Sequence, residues 1–95
     1  SYKGKIMQDM IGQELSPGDF FLIPGGNPRY GGLVIEIGII LSPGNKMMKT
    51  LITRFDKVKT KPTNKTSKKV LKINLTEDMK KTEAVLKLQQ YYEKL

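Results

Sequence analysis

Apolar and polar residues are grouped in short strand-like runs through the first three-quarters of the chain and turn to a helical period only near its end. Phe20-Phe21-Leu22-Ile23 is a short apolar run entered through Ser16-Pro17-Gly18-Asp19. Pro17 pre-sets φ for the second position of a turn, and Gly18 supplies the positive φ that a type II turn needs at the third. The loop Pro24–Gly32 holds four glycines and two prolines in nine residues, too many for a regular element. Leu33 to Leu41, the longest apolar run, predicts a nine-residue strand whose odd positions face the core. Glu36 and Gly38 then fall on the other face, with Gly38 marking a bend or bulge. After the turn Ser42-Pro43-Gly44-Asn45, Met47 to Phe55 predicts a third strand, so the three make an antiparallel meander.

The same period returns in Lys57-Val58-Lys59-Thr60-Lys61, where the lysines share one face and Val58 takes the other. Pro62-Thr63-Asn64-Lys65-Thr66-Ser67 reads as a mobile polar loop. Lys69 to Leu75 follows as a strand with Leu71, Ile73 and Leu75 inward and Lys72 and Asn74 outward. Pairing these two strands as a hairpin would put Lys57, Lys59 and Lys61 on the face that carries Lys68 and Lys72. Thr76 then caps a helix with Glu77 and Asp78 in its first turn. Val85, Leu88, Tyr92 and Leu95 form the apolar stripe of that helix, widened by Ala84 and Tyr91. Ser1 to Gln13 reads as a short strand or arm. The expectation is one mainly β domain over residues 1–95. It has an arm at 1–14, a small antiparallel barrel at 15–75, and one capping amphipathic helix at 76–95 of about five turns.

Composition narrows the chemistry. The 95 residues contain no cysteine and no histidine, which removes disulfides, thiolate metal sites, the commonest general base and the commonest metal ligand. The expectation is a protein without catalytic residues, metal or other cofactor. No apolar run approaches the roughly 20 residues of a membrane span, and residues 1–15 lack the continuous apolar core of a signal peptide. That predicts a cytoplasmic protein, nucleoid-associated if it binds DNA.

Charge adds a location. Of the net +8, nearly all lies between Lys57 and Leu75, where Lys57, Lys59, Lys61, Lys65, Lys68, Lys69 and Lys72 occur with no acid. Such a block is an electrostatic footprint for a polyanion. A solvated, solubilising stretch is the plainer reading. Arg29-Tyr30 in the Gly/Pro loop offers a phosphate contact and a ring face for a base or sugar. The glycine pairs of that loop form neither a Walker loop nor a dinucleotide fingerprint, since no Gly-Lys-Ser/Thr and no helix follow.

The succession Pro17-Gly18-Asp19, short apolar strand, Gly-rich loop, Gly31-Gly32 and long apolar strand resembles the start of KOW and related SH3-like barrel domains, over about residues 15–55. The resemblance implies a small, strongly bent SH3-like barrel that binds nucleic acid or protein through its loops. KOW loops usually carry several basic residues and this one has Arg29 alone, which moves the expected contact surface to Lys57–Lys72. The chain also resembles, more distantly, the PemK/MazF endoribonucleases, whose loop ends in Arg-Pro. Here the order is Pro28-Arg29, and no general base accompanies Arg29 and Thr53.

Fifteen of the seventeen basic residues are lysines, a usage common in AT-rich bacterial and phage genomes. Lysine lacks the bidentate fork with which arginine reads guanine. The leading expectation is therefore a non-enzymatic nucleic-acid-binding protein, such as a phage or bacterial accessory factor acting on DNA or transcription. It would grip phosphates with little sequence readout and prefer duplex DNA slightly over RNA. The alternative is a protein-interaction module, an inhibitor or adaptor, docking on an acidic partner surface.

Overall fold

The computed structural model describes residues 7–25, 34–44, 46–54, 57–59 and 61–95. Among them six strands form one antiparallel sheet: β1 (Phe20–Gly25), β2 (Val34–Ser42), β3 (Met48–Arg54), β4 (Lys57–Val58), β5 (Thr63–Lys65) and β6 (Leu71–Ile73). The first three form the expected meander, with Phe20 opposite Ile39 and Ile39 opposite Leu51. Spatial order is β4-β3-β2-β1-β6, and β5 lies beside β3 next to β4. Strand pairing does not close the sheet, whose curl is compatible with a small open barrel.

The turn into β1 has the anticipated geometry. Gly18 has φ of 89°, and the Asp19 N–H donates to the Ser16 carbonyl at 3.0 Å. The Asp19 carboxylate accepts in return from the Ser16 N–H at 2.8 Å. An L side chain at Gly18 would strain this backbone.

Both faces of the sheet are buried, which departs from the expectation for β2. One face carries Phe21, Ile23, Ile40, Met48 and Ile52, packed with Leu15 and Val70 from the connecting segments. The other carries Phe20, Ile39 and Leu51 and is covered by Val85 and Leu88. Even and odd positions of β2 are thus both core, because the helix covers the second side. Gly38 sits inside the regular ladder opposite Phe21 and Ile52. Its bare Cα makes room for the Phe21 ring, while the irregularity falls between Ile40 and Ser42.

The C-terminal segment is two helices instead of one: α1 (Glu77–Lys80) and α2 (Glu83–Glu93). Thr76 caps α1 as its sequence predicts, accepting from the Met79 N–H at 3.2 Å. Thr82 then turns extended (φ −70°, ψ 148°) and restarts the helix, its hydroxyl donating to the Met79 carbonyl at 2.7 Å. The break lets α2 lie on β2, β3 and β4 with Val85 and Leu88 buried, while α1 buries nothing. Tyr92 packs at the edge of this contact, whereas Tyr91 is exposed and Leu95 is 76% exposed, beyond the covered stripe.

Candidate nucleic-acid interface

The lysine-rich segment does not form the expected hairpin. β4 and β5 both pair with β3, whereas β6 pairs with β1, so the two halves lie at opposite ends of the sheet. The physical reason is apolar matching. In the observed register Leu71 meets Leu22 and Ile73 meets Phe20, which continues the apolar surface of the central strands. A local hairpin would have set those side chains against a lysine strand.

Residues 57–59 and 63–65 pair along the outer edge of β3 in two separate stretches. Lys57 is opposite Arg54 and Val58 opposite Thr53, and the Lys59 N–H donates to the Ile52 carbonyl at 2.9 Å. The second stretch places Thr63, Asn64 and Lys65 opposite Thr50, Lys49 and Met48. What reads as a polar loop is therefore partly strand. Thr50 holds it by donating its hydroxyl to the Thr63 carbonyl at 2.8 Å, a buried side-chain bond with no trace in hydrophobic periodicity. A 3-10 turn, Ser67–Lys69, follows at once and leads into β6.

Residues directly opposite each other in a ladder share a face. Lys57, Lys59 and Lys65 accordingly lie on the face that carries Met48 and Ile52, spread over at most about 27 Å of strand at ~3.4 Å per residue. Lys57, Lys59, Lys61, Lys68 and Lys69 are exposed and Lys65 is half-buried. Among the described residues none of these six is in an ion pair.

Lys72 is separate from them. Its ammonium lies 3.4 Å from the Asp19 carboxylate and donates to the Glu14 carbonyl at 3.1 Å. Its charge is matched locally, and it staples the first turn to β6. Arg29 and Tyr30 lie outside the described residues, as does most of the Pro24–Gly32 loop.

Asp9 has a role that sequence reasoning missed. Its carboxylate, 1% exposed, accepts from the N–H groups of Ile11 (3.0 Å), Gln13 (2.8 Å) and Lys72 (2.8 Å) and from the Gln13 amide (2.8 Å). Gln13 also donates to the Lys72 carbonyl, so both backbone groups of Lys72 on the open edge of β6 are satisfied by side chains. Burial pushes the Asp9 carboxyl upward, but the backbone N–H groups of Lys72, Gln13 and Ile11 and the Gln13 amide together outweigh it, and the net direction is down. A signal exists in Asp9-x-x-Gly12-Gln13, where a short acid precedes a glycine with φ of 85°.

Beside Lys65 and Lys69 the surface sinks into a groove of about 470 Å3 lined by Met10, Ile23, Pro24, Met47, Asn64, Lys65, Thr66 and Lys69. A shallower hollow of about 170 Å3 continues it over Leu22, Ile35 and Leu71. Among the described residues no group of acids could hold a metal ion, and no helix is long and apolar enough to cross a membrane. Comparison of the chain with protein-family models, with curated proteins and with solved structures returned no match.

Proposed function

We propose that the chain is a non-enzymatic nucleic-acid-binding protein that holds phosphates along the edge formed by β4, β5 and the 3-10 turn. The observation that carries this is the ladder register. It lines up Lys57, Lys59 and Lys65 on one face, with Lys61 between the two paired stretches, Lys68 and Lys69 in the 3-10 turn that follows, and no described acid among them. Ammonium groups spaced along an extended strand can follow successive phosphates, whose contacts position a protein without reading sequence. Duplex DNA is the preferred ligand, and the setting that suits it is the bacterial cytoplasm or nucleoid, including a cell under phage control. Lysines on an edge strand also discourage pairing with other chains, a second reason for their presence.

Binding of a fluorescent duplex over a salt series tests the reading. With four to six phosphates neutralised, log K should fall against log salt with a slope of about −4 to −5. A flat response removes the proposal. Changing Lys57, Lys59 and Lys61 together to Glu should abolish binding and leave the thermal transition within a few degrees of the parent, since all three side chains are exposed.

A further inference from the structure

We infer that the groove between Met10 and Met47 is a docking site for an acidic amphipathic segment of a partner protein. Met10, Ile23, Pro24 and Met47 give it an apolar lining, and Lys65 and Lys69 line it as well. Met10 is 48% exposed, Met47 52% and Ile35, in the adjoining hollow, 61%. Large apolar side chains exposed this far and gathered around two adjoining depressions mark a contact surface. Two methionines among them suit a site that accommodates varied apolar side chains.

The site is also held in shape. The Met10 N–H donates to the Val70 carbonyl at 3.0 Å, and the Asp9 carboxylate binds the N–H of Ile11. The wall bearing Met10 is thus pinned to Val70, the residue that leads into β6, which lowers the ordering cost of docking.

Charge selects the occupant. Lys65 and Lys69 in the lining and a net charge of +8 repel a second copy of this chain and favour a segment that places acids beside its apolar residues. The groove, about 470 Å3 and open to solvent, has room for a few side chains of a helix or extended peptide.

The test uses the full chain with isotope-labelled methionine methyl groups and two synthetic peptides of about four helical turns. One repeats Glu and Asp with Leu and Phe on a single face, and the other keeps the acids and replaces Leu and Phe by Ser. The first peptide should shift the methyl resonances of Met10 and Met47 and leave that of Met79, exposed on α1, in place. The second should bind at least about tenfold more weakly. The double variant Met10→Ser/Met47→Ser should lose that difference and keep its affinity for duplex DNA. The triple lysine-to-Glu variant at 57, 59 and 61 should do the reverse, so the two sites fail separately. Equal binding of both peptides, unmoved Met10 and Met47 methyls, or methyl shifts produced by phosphatidylglycerol vesicles and not by the peptide would each overturn the inference.

Discussion

Asp9 shows how much one buried carboxylate can organise. It closes the loop from Gln8 to Glu14, whose ends bridge each other, and seals the edge of β6. Replacing it with Asn converts two acceptor positions into a donor facing other donors, at a cost of about 1–3 kcal/mol in chemical denaturation. The pH dependence has a definite sign. The folded-state pKa lies below the ordinary 3.8, so the unfolded chain takes up the proton first. The contribution of Asp9 is complete above that value and is lost as pH falls through the folded-state pKa. An Asp9→Ala variant should therefore show a shallower loss of stability below about pH 4 than the parent. Gly38 is a second such residue. A methyl group there would come within 2.5 Å of the Phe21 ring and 2.8 Å of the Leu51 carbonyl, which belongs to the backbone. Gly38→Ala should destabilise by about 1–3 kcal/mol in the same measurement. The glycine is conspicuous in a run of β-branched and leucine residues. The ring that requires it comes from another strand, which periodicity within one segment cannot reveal.

At the scale of elements, the local signals divide by how much of the work is local. The Ser16–Asp19 turn and the Thr76 cap were legible because Pro17, Gly18 and the cap hydroxyl act on their own neighbours. The three long strands were legible because their apolar runs need burial. β5 was not, since Thr63, Asn64 and Lys65 are held by the ladder of β3 and the Thr50 hydroxyl. The single terminal helix expected from the Val85–Leu88–Tyr92 spacing divides at Lys81–Thr82, because only the second part has a sheet to cover. Leu88 is fully buried at that contact. Leu88→Ala should cost about 2–5 kcal/mol and lower the melting temperature by roughly 10 °C or more. Leu86→Ala, on the exposed side of α2, should change it by no more than a degree or two. A comparable loss from both would show that α2 is not docked as described.

For the whole molecule, the lysine block turned out to be distributed by topology. Lys57, Lys59 and Lys65 follow one edge, and Lys61, Lys68 and Lys69 lie in the connecting turns. The seventh, Lys72 on β6, is tied to Asp19 at the other end of the strand order. Under charge reversal these should separate. Lys72→Glu should weaken DNA binding far less than Lys59→Glu, and should lower stability by placing an acid beside Asp19. Duplex titrations of the two single variants at low salt, with a thermal melt of each, measure both effects.

The amino-acid order by itself determined the β-rich class, the turn before β1, the meander, the helical C-terminus and the existence of a cationic segment. Each of these depends on residue type or on spacing within a few positions. Tertiary structure alone decided which edge β4, β5 and β6 occupy, that both sheet faces are core, and which lysine is neutralised. Those outcomes depend on matching apolar surfaces and buried hydrogen-bond donors between residues as far apart as Asp9 and Lys72, a competition that no single stretch of chain contains.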